Sequence, residues 1–172
     1  MPRLENKVVL LSGGASGIGA ETARQVVREG GKAVLADRDE AKGRALAAEL
    51  GASAHFVPLD VTQEASWQSA VAATLERFGA LHGLLNAAGI GVRNSIEDCT
   101  LEEFRRVNDV NSLGTFLGCK TAIPAMKDSG GGSIVNISSV LGLRGAAYAM
   151  AYCASKGAVR TLTKSVALHC AQ

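Results

Sequence analysis

Tyr152 and Lys156 stand four residues apart in the run YCASK. On a helix this spacing puts both side chains on one face, one turn apart. A free phenol titrates near ~10, so at neutral pH it is rarely available as a base. A nearby ammonium favours the anionic form. Moving such a titration down by about three units takes about 4 kcal/mol. Two cations in a partly dry site, the lysine and a charged cofactor ring, could supply that. The phenol could then take a proton from an alcohol or return one to a carbonyl. By spacing alone, a packed tyrosine beside a snorkelling lysine is the commoner outcome. Tyr148 does not compete for the role, because the residue four on from it is Tyr152.

A second set of residues suits phosphate binding. Residues 12–19 read SGGASGIG, directly after the apolar run KVVLL. Gly13 allows a tight exit from a strand, Gly17 lets backbone approach a pyrophosphate, and Gly19 lets a helix pack close to a sheet. Ser16 and Ile18 belong to the same loop. The free N–H groups and positive end of the following helix would hold the phosphates. Asp37 lies about where a carboxylate for the adenosine ribose hydroxyls is expected. Its charge would repel a 2′-phosphate, so NAD is expected over NADP, although Arg38 is adjacent. A turn or capping role for Asp37 is compatible with this. Asp60, with Val61 at the end of a later apolar run, could meet the adenine amino group or cap the next helix.

These groups need strands and helices to place them. Apolar runs predict strands over 7–12, 33–36, 54–59, 81–86 and 133–138. Helical spacing predicts helices over 17–30, 39–50, 62–78 (with Thr62 as N-cap), 101–126 in one or two pieces, and 151–170. Gly51 and Gly79 close two of them. The alternation predicts parallel βαβ units with right-handed crossovers. The strands are apolar throughout, as expected of strands covered on both faces. The expected fold is α/β: a doubly wound, Rossmann-like parallel sheet in three layers, strand order 3-2-1-4-5.

Composition narrows the function classes. The chain has 172 residues, enough for one domain, and 47% are apolar. Net charge is +2, from 18 basic and 16 acidic residues, and the charges are interspersed. No nucleic-acid or membrane partner is expected. The four cysteines, at 99, 119, 153 and 170, form no CxxC pair and match no zinc spacing, so no metal site is expected. The start, MPRLENKVVL, lacks the pattern of a signal peptide, and a cytoplasmic location is expected.

Taken in order, the SGGASGIG loop, Asp37, Asp60-Val61, Asn86-Ala87-Ala88-Gly89, Asn111 within VNSLG, Ser138-Ser139 and YCASK resemble the short-chain dehydrogenase/reductase family in its ordinary single-domain form. The resemblance covers essentially the whole chain. It implies hydride exchange between NAD(H) and a secondary alcohol or ketone. It also implies a catalytic group of Asn111, Ser139, Tyr152 and Lys156. In that group Ser139, rather than Ser138, bonds the substrate oxygen. Asn111 holds a water relay to Lys156 through its helix, and Lys156 also binds the nicotinamide ribose. Asn86, Ala88 and Gly89 join the loop glycines and the two aspartates around the cofactor.

Two small departures are Ser12, where the family usually has Thr, and Ala87, where it usually has a second Asn. A larger one is the end of the chain. Family members continue with further strands and a substrate-covering loop. The expectation is therefore a domain cut short after the helix carrying Tyr152 and Lys156, with 133–138 as a sheet edge. A weakened or inactive dinucleotide-binding module is the competing reading. The glycine spacing argues against the extended epimerase-type relatives. Val140, Leu141, Leu143, Ala146, Ala147 and Met150 suggest an apolar pocket for a cyclic or steroid-like alcohol. The helices over 101–126 and 151–170 suit assembly into dimers or tetramers.

Overall fold

The computed structural model describes residues 2–171. Five parallel strands, β1 (Val8–Ser12), β2 (Lys32–Asp37), β3 (Ala54–Pro58), β4 (Gly83–Asn86) and β5 (Ser133–Asn136), form one sheet in the order β3-β2-β1-β4-β5. This is the doubly wound order expected from the sequence. The order in which the chain lays down its parallel strands reverses between β1 and β4, so the exits of those strands open a crevice at their C-terminal ends.

Successive residues of a strand point to opposite faces, and the core divides accordingly. On one face Leu11, Ala33, Leu35 and Phe56 pack under α1 (Gly17–Arg28) and α2 (Glu40–Leu50) through Ala20, Ala23, Val26 and Leu46. On the other, Leu10, Val34, Ala36 and Val57 meet α3 (Glu64–Phe78) and α5 (Gly114–Asp128). The largest fully buried side chain, Trp67 of α3, sits in this second layer and donates its indole N–H to the Val61 carbonyl at 3.0 Å. Two helix layers therefore sandwich the sheet.

Several boundaries differ from expectation for local reasons. Helix α3 starts at Glu64 with Gln63 at its N-cap, not Thr62. The Thr62 amide and hydroxyl are both held by Asp60 Oδ1, at 2.9 and 2.8 Å, which keeps Thr62 in a turn. The long helical stretch is α4 (Leu101–Asn108), a π-helical turn over Asp109–Leu113, and α5. Thr100 and Glu103 form a reciprocal capping box at the start of α4. Strand β5 is shorter than expected and is not covered on both faces: Ser133 and Val135 are exposed, the latter by 53%. Its outer edge has no partner strand among the described residues. Helix α6 (Met150–Cys170) follows it and packs beside α4 and α5.

Candidate active site

At the exit of β1 the chain turns through Gly13, whose φ is +68°. A Cβ there would stand 2.8 Å from the Ala88 amide nitrogen, because the exits of β1 and β4 run against each other. A Cβ on Gly19 would overlap the Gly13 carbonyl oxygen, so α1 starts hard against the loop. Ser16 is the N-cap of α1 but makes no side-chain capping bond. The first amides of α1 thus lack both intrahelical and side-chain partners, and Gly17 borders open space. Ser12 fills the family threonine's place, its hydroxyl accepting the Ala88 N–H at 3.4 Å.

Asp37 closes the far side. Its Oδ2 accepts from the Ala15 amide at 3.0 Å, and its Oδ1 from the Asp39 amide at 3.0 Å. The carboxylate is therefore built into the turn, and its charge faces the loop. Gly13, Ser16, Ile18, Asp37, Asp60, Val61, Ala88 and Gly89, with Gly17 and Gly19, line one cleft of about 320 Å³. Asn86 does not. It is buried beneath the cleft and donates Nδ2 to Asn136 Oδ1 at 2.8 Å, joining the ends of β4 and β5. Asp60 takes the capping-type contacts to Thr62 while still lining the cleft.

The Tyr152–Lys156 pair lies at the other end. Lys156 is only 4% exposed, and its Nζ sits 5.7 Å from the centre of the Tyr152 ring. Nζ donates to the Ile137 carbonyl at 2.7 Å. Burial pushes the ammonium below its ordinary titration range. Asn111 is fully buried in the π-helical turn, a distortion frequent at functional sites. Its Oδ1 accepts from the Ile90 amide, and its Nδ2 donates to both the Ile90 carbonyl and Ser155 Oγ, each at 2.9 Å. Its own carbonyl accepts the Thr115 hydroxyl at 2.7 Å. A Cβ on Gly89 would lie 3.3 Å from Asn111 Oδ1 and 3.5 Å from Lys156 Nζ, so glycine leaves the gap between them open. Ser139 has extended backbone, and its Oγ accepts from the Leu141 amide at 3.1 Å, starting the short turn over Val140–Gly142.

The fold thus brings Asn111 and Lys156 together around Gly89, with Tyr152 against Gly91 and Ser139 at the adjoining exit of β5. Sequence reasoning missed Ser155, which ties the group: its Oγ takes the Asn111 amide and donates to the Tyr152 carbonyl at 2.8 Å. Ser112 adds a bond to the Ser155 carbonyl at 3.1 Å. Two hydroxyl residues directly before Lys156 and directly after Asn111 were the available signal. Also missed was the contact of Asn94 with 148–149, where its amide meets the Tyr148 carbonyl at 3.1 Å and brings the post-β4 segment against the mouth of the site.

A βαβ crevice with this glycine loop and this tyrosine–lysine pair defines a nucleotide-binding oxidoreductase class, and comparison with known proteins identifies which one. Residues 7–172 match the short chain dehydrogenase family, and the chain belongs to it. Members of that family use a nicotinamide dinucleotide, and the open glycine cradle, uncapped α1 and anchored Asp37 fit such a group. The chain is 50% identical over 166 residues to a 3-alpha-(or 20-beta)-hydroxysteroid dehydrogenase of Mycobacterium tuberculosis, covering 96% of this chain and 64% of the relative. It is 46% identical over 175 residues to a trans-4-hydroxycyclohexanecarboxylate dehydrogenase of Sinomonas cyclohexanicum (96% and 67%). It is 44% identical over 168 residues to a 3-beta-hydroxysteroid dehydrogenase of Comamonas testosteroni (98% and 66%). The chain therefore spans about two thirds of the length of these curated relatives. No described helix is long and apolar enough to cross a membrane.

Proposed function

We propose that this chain carries the dinucleotide-binding and catalytic residues of an NAD-dependent dehydrogenase acting on the secondary hydroxyl of a cyclic, largely apolar alcohol, reversibly with the ketone. The observation that carries this reading is the buried Lys156 Nζ beside the Tyr152 ring, at the inner end of the glycine cleft. Relatives named for steroid and cyclohexane substrates support the ring-shaped alcohol. So do the exposed apolar side chains of Val140, Leu143 and Tyr148 along the mouth.

The bound nicotinamide would supply the hydride acceptor. Gly13, Gly17 and Gly19 let the backbone close on the pyrophosphate, and the free amides at the start of α1 meet its charge. Asp37 takes the ribose hydroxyls and repels a 2′-phosphate, which favours NAD. Ser139 Oγ donates to the substrate oxygen. Tyr152 takes the hydroxyl proton as the carbinol hydrogen leaves with its electron pair, giving the ketone; the reverse reaction returns the proton. A Lys156 ammonium attracts negative charge on the Tyr152 oxygen. Lysine has three N–H groups, and only one is engaged by Ile137, leaving donors for the ribose and a relay water.

Exposed Phe104, Phe116 and Leu168 on α4, α5 and α6 suit assembly of copies through these helices, and cytoplasmic residence is consistent with this reading. Calorimetry with NAD and NADP tests the cofactor assignment. The expected result is NAD binding at least tenfold tighter, with the preference collapsing in Asp37→Ala. Equal affinities in the parent would refute the role of Asp37.

A further inference from the structure

The side chains of the two residues flanking Ile137 are both tied to α6 or its neighbours. On one side, Ser138 Oγ donates to the backbone carbonyl of Lys156 at 2.9 Å. On the other, Asn136 Nδ2 donates to Thr163 Oγ1 at 3.0 Å, while its Oδ1 accepts from Asn86 at 2.8 Å. The Thr163 hydroxyl proton goes to the Val159 carbonyl at 2.7 Å, so toward Asn136 this oxygen is an acceptor. Thr163 lies about two turns beyond Lys156, on the same side of α6. Between these anchors sits Ile137, whose carbonyl receives the Lys156 ammonium and whose amide donates to the Asn86 carbonyl at 3.0 Å. The turn after Ser139 closes over the same place. A Cβ on Gly142 would stand 2.7 Å from the Lys156 carbonyl oxygen and 2.9 Å from Ser138 Oγ.

We propose that Asn136, Ser138 and Thr163 are positioning residues that clamp the Ile137 carbonyl and thereby aim the Lys156 side chain at Tyr152. The inference rests on the reading of Lys156 as the partner of Tyr152. A lysine stem has four rotatable bonds, and a buried ammonium without a carboxylate keeps one conformation only if its neutral acceptor is fixed. Ile137 itself lies just past the end of β5, where its amide bond to the Asn86 carbonyl is the tie to the sheet. The clamp ties the strand exit to the helix that carries the lysine, so acceptor and donor move as a unit. Asn86 extends the tie to β4. Tyr152 is the titratable side chain facing Lys156; the β5 exit, Gly89 and Asn111 present uncharged groups to it.

The test is NMR of the full chain labelled with carbon-13 at the lysine ε position, titrated with pH. The Lys156 signal is assigned by its loss in Lys156→Arg. Ser138→Ala and Thr163→Val each remove one anchor with little change in volume, and Thr163→Ser keeps the accepting oxygen. The expected result is a Lys156 midpoint displaced upward by about half a unit or more in both deletions, as the amine gains water. Thr163→Ser should titrate like the parent. If both deletions lower the melting temperature but leave the midpoint in place, the bonds are merely structural and the proposal is overturned. The readout needs no turnover, so its failure is distinct from failure of the dehydrogenase reading.

Discussion

Strand β1 lies between β2 and β4 and is buried along almost its whole length, whereas among the described residues β5 pairs with β4 only and leaves alternate residues exposed. The proposed cofactor end of the crevice grows out of the first and the proposed catalytic end out of the second. At the cofactor end, shape is set by close backbone contact: the exits of β1 and β4 touch through Gly13 and Ala88, and α1 rests on Gly13 through Gly19. At the other end, shape is set by side-chain hydrogen bonds: Asn111 to Ser155, Ser138 to the Lys156 carbonyl and Asn136 to Thr163. Contact of that first kind fails when volume is added. Bonding of the second kind fails when a polar atom is removed and its partner is left buried without one.

Substitutions can separate these two modes of failure. The largest effect is expected for Gly19→Ala. Its Cβ overlaps backbone that cannot swing away, and such overpacking costs about 1–3 kcal/mol. Denaturant melts should show that loss, and calorimetry should show dinucleotide affinity reduced by more than tenfold. Full NAD affinity in this variant would mean that the loop relaxes freely. At the other end, Asn111→Ala strands the Ile90 amide and carbonyl and removes the donor to Ser155 Oγ. A loss of roughly 1–3 kcal/mol is expected, with NAD affinity kept within about threefold. Equal damage to both properties would show that the two ends are not separately built.

The smallest effect lies far from both. Arg3 holds the Glu29 carboxyl at about 2, below its ordinary 4.5, chiefly by a side-chain hydrogen bond. Because the folded value is depressed, the contribution is fully present above pH 4.5 and fades as pH falls toward about 2. Arg3→Gln should therefore narrow the gap in urea midpoint between neutral pH and pH of about 2. An unchanged gap would show that the pair adds nothing to acid sensitivity. The pair is solvent-exposed, and salt should weaken it further.

The contrast between the two ends also explains how far the sequence could be read. The glycine loop, Asp37 and the Tyr152–Lys156 spacing are local patterns whose meaning depends on a strand before and a helix after, and both are visible in apolar periodicity. Sheet order follows from the alternation of elements. The ties that hold the catalytic end are not local: Asn136 meets Thr163, Ser138 meets Lys156, and Asn111 meets Ser155 across different elements. A single hydroxyl or amide in a chain carries no periodic signal that announces such a partner. For the same reason α3 starts after Thr62, whose competing bonds to Asp60 carry no signal in the sequence.

If Tyr152 moves the proton in an NAD-linked oxidation, Tyr152→Phe should separate cofactor binding from turnover. Binding of NAD would be measured by calorimetry, and turnover of cyclic secondary alcohols by the absorbance of the reduced nicotinamide. NAD affinity should be unchanged in the variant, and turnover should fall by about 10²–10⁴-fold. A variant that oxidises these alcohols as fast as the parent would contradict that role.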